Sequence, residues 1–204
     1  CSSDLVLYGR LGDLSQSRAI LDAIKPADRR ERAVLRLTLA SIYRDAGRTD
    51  QAVDLLKAAD LEMPDTPEIK YDLGMLLHQQ GKTAEFESLM RRVIELDPDN
   101  ANAYNSLGYT YVEQNRNLDE ARGLLERALE LEPDSAYILD SVGWYLFRIR
   151  DYQGALEYLR RSYDQLPAAD VAAHLGETLW ALGRHDEARR IWAEGRKADQ
   201  HSWF

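Results

Sequence analysis

Small residues, prolines and alanines recur along the chain about every 34 residues, and this period constrains the fold more than any other feature. The prolines of the series are Pro64, Pro98, Pro133 and Pro167. A second series places a small residue after an apolar one, at Ala40, Gly74, Gly108, Gly143 and Gly176. A third series contains Ala52, Phe86, Ala121, Ala155 and Ala188. Because the three series keep one phase, the chain is predicted to consist of repeated structural units.

The phase divides the sequence into five units and a shorter N-terminal segment. Residues 1–32 are interpreted as a partial repeat or the remnant of one. The predicted units are 33–66, 67–100, 101–135, 136–168 and 169–202. Units of this length cannot bury an apolar face alone, so we expect neighbouring units to stack on one another.

Each unit is predicted to contain two helices. In the third unit, apolar residues from Ala103 to Tyr111 follow helical spacing, and the pattern resumes from Leu118 to Leu131 after a polar turn. Pro133 then ends the second helix because proline lacks the backbone N–H donor. The first helices are predicted near 34–46, 68–80, 102–115, 136–149 and 169–182, and three of the five turns carry a capping glycine at Gly47, Gly81 and Gly183.

The small residues indicate close packing inside a unit. Gly108 has no Cβ, so a neighbouring helix can approach it closely. Gly123 does not belong to any of the three series and is predicted to lie on an open face.

The third unit resembles the tetratricopeptide repeat family. The matching positions are Tyr104, Leu107, Gly108, Tyr111, Ala121, Leu125, Ala128 and Pro133. The resemblance implies an all-α fold, a right-handed superhelical solenoid of antiparallel helix pairs. It also implies an inner groove, lined by the first helices, that binds an extended peptide or a partner helix.

Composition and motifs argue against several other functions. The 204 residues carry a formal net charge of -9, which disfavours nucleic acid as a partner. No apolar run approaches the ~18 residues that a membrane-spanning helix needs. The four histidines lack metal-ligand spacing and are interpreted as surface or packing residues. Since no phosphate-binding or nucleophile motif occurs either, we expect neither enzymatic activity nor a cofactor or metal.

The resemblance assigns groove positions to particular residues, several of which are large and aromatic. They are Tyr71, Met75, His78, Asn102, Asn105, Tyr109, Tyr137, Asp140, Trp144, Phe147 and Trp180. Aromatic side chains exposed in a groove are typical anchors for a protein partner, and asparagines can bind its backbone. The alternative is that some of them, especially Trp144 and Phe147, pack against the next unit.

Residues 100–200 also resemble the C-terminal repeats of large tetratricopeptide lipoproteins of Gram-negative outer membranes. The similar stretches run from Tyr104 to Tyr109, from Leu139 to Trp144 and from Val171 to Glu177. Some members of that family bring substrates to a periplasmic protease. The resemblance implies a bacterial scaffold or adaptor at the periplasmic face of the outer membrane.

Two interpretations of the N-terminus remain open at this point. Cys1 followed by two serines matches a lipid-attached mature lipoprotein, whereas the same residues also match adapter sequence left on a gene fragment. In the second case the chain is a regulatory repeat segment of a larger enzyme, of glycosyltransferase or kinase type, and a cytoplasmic location is the alternative.

Overall fold

The computed structural model describes residues 18–19 and 23–201. From residue 29 onward these residues form ten helices and no strand. The helices are α1 (Arg29–Asp45), α2 (Thr49–Glu62), α3 (Pro67–Gln79), α4 (Thr83–Leu96), α5 (Ala101–Glu113), α6 (Leu118–Leu131), α7 (Ala136–Arg148), α8 (Tyr152–Gln165), α9 (Ala169–Ala181) and α10 (His185–His201). The predicted lipid-attachment residue Cys1 and most of segment 1–32 lie outside the described residues.

The predicted all-α fold is confirmed, and four of the five first helices begin within about one residue of the predicted start. Helix α1 is the exception, since it begins at Arg29 rather than near residue 34. Its earlier start has a local cause in a reciprocal pair of hydrogen bonds. The Asp28 carboxylate accepts from the Glu31 backbone N–H at 2.8 Å, and the Glu31 carboxylate accepts from the Ala27 N–H at 2.6 Å. These bonds satisfy backbone donors that a helix start leaves free.

Short turns join the two helices of each pair. A helix pair that packs together across so short a turn is antiparallel. Every turn has a left-handed residue two positions after the end of its first helix, and these are Gly47 (φ 71°), Gly81 (φ 74°), Asn115 (φ 49°), Arg150 (φ 69°) and Gly183 (φ 77°). The turn between α5 and α6 has a second one, Asn117 (φ 49°). The predicted glycine caps are therefore confirmed. The repeat phase continues through Asn115 and Arg150, so the same backbone geometry is imposed on two residues that have a Cβ.

Arg150→Gly should stabilise the protein. A residue with a Cβ pays roughly 1 kcal/mol or more to remain left-handed, and glycine does not. Urea unfolding measures the difference. Asn115→Gly is the matched control and should give a smaller gain, because asparagine tolerates this region better. If Arg150→Gly instead lowers the free energy of unfolding, the arginine side chain stabilises the folded state by more than its left-handed backbone conformation costs.

The chain divides into two compact units, Cys1–Pro98 and Asp99–Phe204, which we call the N-terminal and C-terminal units. The N-terminal unit is centred on buried aliphatic residues such as Leu56, Ile69 and Leu77. It also buries Lys70, whose Nζ lies 2.8 Å from Asp60 Oδ1. That ion pair replaces the bulky apolar residue that the repeat pattern favours there. No described helix is both long enough and apolar enough to span a membrane.

The C-terminal unit contains three helix pairs, α5–α6, α7–α8 and α9–α10. Its first helices pack in succession, with α5 against α7 and α7 against α9. Leu125, Leu159 and Leu175 are among the buried residues of its core. This arrangement brings one row of side chains from each first helix onto a common face.

The small residue of each first helix lies at the closest approach to its partner helix. A Cβ added to Gly108 would lie 2.9 Å from Leu125 Cγ and 3.3 Å from Leu124 Cβ. The same holds for Gly143, whose added Cβ would lie 2.6 Å from Leu159 Cγ. Around Gly123, in contrast, no atom lies within 4 Å of an added Cβ.

Alanine at Gly108 and at Gly123 should change stability in opposite directions. Overpacking against Leu125 is expected to cost about 1–3 kcal/mol at Gly108. At Gly123 the added methyl meets open space in a helix interior, so stability should rise by roughly 0.5–1 kcal/mol. Thermal and urea unfolding of the two variants provide the comparison, and equal losses would contradict the assigned contact.

Candidate functional site

The predicted groove residues are divided between the two units, and three of them lie on α3 of the N-terminal unit. Tyr71, Met75 and His78 are all half-buried. The His78 ring packs on Phe86 of α4, with 4.7 Å between ring centroids, and its buried Nδ1 has no hydrogen-bond partner. His78 therefore contributes to the contact inside its own helix pair, a role that the groove prediction did not assign to it.

Most of the remaining predicted residues lie on the first helices of the C-terminal unit. The spacing i, i+4 places side chains on one face of a helix. Three such rows adjoin one another because α5, α7 and α9 pack in succession. We call the surface formed by these rows and by Phe147 the inner face, comprising Asn105, Tyr109, Glu113, Asp140, Trp144, Phe147, Arg148, Asp170 and His174.

Trp144 lies at the centre of the inner face and is buried, with 6% of its surface exposed. Its ring is stacked on Phe147, at 4.7 Å and 9°, and on His174, at 4.2 Å and 15°. The indole N–H donates to Glu113 Oε1 at 2.5 Å. Of the two interpretations left open for Trp144, an exposed anchor and packing against the next unit, the structure shows the second. The ring is covered because His174 of the next first helix reaches it.

Asp140 and His174 form a buried pair beneath this surface. The distances from His174 Nδ1 to the two Asp140 carboxylate oxygens are 3.0 and 3.1 Å, and both residues are 8% exposed. Asp140 was predicted to face a partner, but its carboxylate is already bound by His174. His174 was predicted to be a surface or packing residue. His174 lies four residues after Asp170, and this helical spacing could have placed the two on one face of α9 from the sequence alone.

Tyr109 is a half-buried aromatic residue of this face, and its ring centroid lies 6.3 Å from that of His174. Burial raises the pKa of its hydroxyl above the ordinary value of 10.0, and the negative charges of Glu113, Asp140 and Asp170 raise it further. These carboxylates come from three successive first helices. The Tyr109 hydroxyl therefore lies in a field of negative charge that originates from all three helices.

The other predicted residues differ in exposure. Asn102 and Tyr137 are exposed, the latter at 68%, and Phe147 is half-buried. Asn105 is half-buried, and its Oδ1 is buried without a hydrogen-bond partner.

Trp180 is 43% exposed, but its ring contacts His185 and Trp192 of α10 at 4.1 and 5.8 Å between centroids. It therefore packs within the last helix pair.

Arg148 is the basic residue of the inner face. Its guanidinium carbon lies 5.7 Å from the Trp144 ring centroid, and its Nη2 donates to the Glu113 carbonyl oxygen at 3.4 Å. Glu113, Asp140 and Asp170 outnumber it, so the face is acidic. Among the described residues, no group of three or more histidine, cysteine or carboxylate side chains could hold a metal ion.

Trp144→Ala should destabilise the C-terminal unit by about 3–5 kcal/mol, because it removes a buried indole from between two rings. Trp180→Ala, at the exposed tryptophan, is the matched control and should cost clearly less. Urea unfolding followed by circular dichroism gives both values. A loss at Trp180 as large as that at Trp144 would contradict the packing described above.

A family model for the tetratricopeptide repeat matches residues 43–108, 77–140 and 147–202. The chain belongs to the tetratricopeptide repeat family. Membership confirms the resemblance found in the sequence and supports a role as a scaffold for protein–protein interaction. It agrees with the helix pairs and with the small residues at their contacts.

Relatives of the chain are longer proteins. A TPR repeat-containing protein of Pseudomonas aeruginosa is 35% identical over 116 residues, which cover 57% of this chain and 20% of that protein. Cellulose synthase operon protein C of Xanthomonas axonopodis pv. citri is 26% identical over 200 residues, which cover 93% of this chain and 11% of that protein. The chain thus spans about a fifth or less of these relatives.

A solved structure supports the fold. The tetratricopeptide repeat protein from Parabacteroides merdae superposes with a TM-score of 0.73 at 16% identity, covering 93% of this chain and 75% of that one. At this identity the likeness concerns the fold alone.

Proposed function

We propose that this chain is an adaptor that holds an extended segment of a partner protein on the inner face of the C-terminal unit. The observation that carries the proposal is Tyr109, a half-buried aromatic residue whose ring centroid lies 6.3 Å from that of His174, on a face where carboxylates of three successive first helices act on its hydroxyl. Core packing does not require a tyrosine among carboxylates. A protein partner, in contrast, gains from an aromatic anchor surrounded by polar groups.

The groups beneath Tyr109 favour binding with little rearrangement. Trp144 is fixed by two stacked rings and by its bond to Glu113, and Asp140 is fixed by His174. A surface already held in one conformation loses less entropy when a partner binds. Asn102 and Tyr137, which are exposed, extend the surface that an elongated segment would follow.

The finer proposal is that the adaptor recruits substrates to a periplasmic protease at the outer membrane. It rests on the resemblance of residues 100–200 to lipoproteins of that type. The match to a repeat protein of Pseudomonas aeruginosa, a relative of greater length, is consistent with it. The test is reconstitution, in which the full-length protein should increase cleavage of a bound substrate by the protease, whereas Tyr109→Ala should not.

A second candidate is a regulatory repeat segment within a larger protein that acts in polysaccharide synthesis. The observation that favours it is the match over 93% of the chain to cellulose synthase operon protein C. Cross-linking in cells separates the candidates. A photo-reactive residue in place of the exposed Tyr137 should link to a protease or its substrate in the first case, and to a polysaccharide synthase in the second.

Tyr109→Ala should weaken binding of the cross-linked partner by about 2 kcal/mol or more, as expected for an aromatic anchor. Arg122→Ala is the control, because Arg122 is exposed on α6 and its Nε lies 2.7 Å from Glu126 Oε1 of the same helix. Calorimetric titration of folded variants gives the affinities. If Arg122→Ala abolishes binding and Tyr109→Ala leaves it intact, the partner binds the outer surface and the proposal is wrong.

A further inference from the structure

We infer that the segment bound on the inner face is basic, and that an arginine side chain of the partner lies against Tyr109, between the carboxylates of Glu113 and Asp170. This inference rests on the proposed function and specifies the chemistry of its partner. It is argued from the hydrogen-bonding capacity, the charge and the ring surfaces that the face leaves available.

The three carboxylates of the inner face differ in whether they are free to bind a ligand. Asp140 is occupied by His174 in the buried pair. Glu113 is exposed, and its bond from the Trp144 N–H uses one of its two carboxylate oxygens. Asp170 is exposed and has no hydrogen bond or ion pair within the described part of the chain. Two carboxylates on different helices can therefore accept bonds from a ligand.

The inner face carries fewer hydrogen-bond donors than acceptors. Arg148 makes no ion pair with Glu113 or Asp170, since its guanidinium lies near the Trp144 ring and donates to the Glu113 carbonyl oxygen. The face thus has an excess of acceptors. A guanidinium group supplies up to five N–H donors and a positive charge, which makes it the complementary side chain.

The Trp144 and Tyr109 rings of the inner face differ in how accessible they are to a partner. The Trp144 ring is 6% exposed because Phe147 and His174 stack on it, and the Arg148 guanidinium already lies 5.7 Å from its centroid, so it offers no free ring surface to a cation of the partner. Tyr109 is half-buried and retains an accessible part. An arginine stacks on aromatic rings more readily than a lysine and can bond two carboxylates at once. Arginine is therefore expected to bind more tightly than lysine at this position.

Fluorescence anisotropy with labelled nonapeptides provides the test. The probe alternates arginine with serine around a central leucine, and its controls replace every arginine by citrulline, lysine or glutamate. Citrulline keeps the shape of arginine but has no charge. The protein is the whole chain, as the wild type and as Glu113→Gln, Asp170→Asn and the outer-face control Glu126→Gln. Glutamine at 113 keeps an acceptor for the Trp144 N–H, so folding should be unaffected.

The arginine peptide should bind more tightly than the lysine peptide, and at least about tenfold more tightly than the citrulline peptide. Glu113→Gln and Asp170→Asn should each weaken its binding by about fivefold, as expected for partly exposed charge pairs. Glu126→Gln should leave binding unchanged. Higher salt should reduce the affinity of the arginine peptide and hardly affect that of the citrulline peptide.

Three outcomes would overturn the inference, and they differ in what they imply for the proposed function. If the citrulline or glutamate peptide binds as tightly and Tyr109→Ala removes that binding, the face is a docking site for a partner that is not basic. If Glu126→Gln weakens binding as much as Glu113→Gln, the attraction is due to net charge alone. If no peptide binds and Tyr109→Ala does not change the affinity for the cross-linked partner, the proposed binding site is also wrong.

Discussion

The close contact between the two helices of each pair is the constraint on which the rest of the structure depends. Gly108 and Gly143 allow the leucines of the following helix to lie against the first helix at van der Waals distance. Without that contact the pair could not present a regular surface to its neighbour. The stacking of α5, α7 and α9, and therefore the inner face, follows from the spacing that these glycines set.

Charge and aromatic packing on the inner face are consequences of the same repeat. Side chains about one period apart in sequence become neighbours, as Glu113 and Trp144 or Asp140 and His174 show. Each pair joins successive first helices of the C-terminal unit. The polar bonds thus fix the relative positions of the helices. They also occupy the Asp140 carboxylate and one oxygen of Glu113, which leaves the second oxygen of Glu113 and the carboxylate of Asp170 for a partner.

The sequence contained most of the information about the fold and less about the site. Periodic glycines, alanines and prolines predicted the helix pairs, the turns at Gly47, Gly81 and Gly183, and the contact at Gly108. The early start of α1 was missed because it depends on the specific bonds between Asp28 and Glu31. The burial of Trp144 was not decided because a family position indicates which face a residue lies on. It does not indicate whether a ring from the next repeat covers that residue.

The sandwich around Trp144 has a consequence for the modularity of the chain. Repeats of this kind are often regarded as interchangeable, because the contact within each helix pair is self-contained. Here one indole contacts its own helix at Phe147, the preceding first helix at Glu113 and the following one at His174. Deleting, duplicating or exchanging a single repeat would preserve the helix pairs but leave this ring without its neighbours. The three C-terminal repeats are therefore expected to be retained together in evolution. Recombination should be tolerated before the first or after the last of the three, and not at the junctions inside the group.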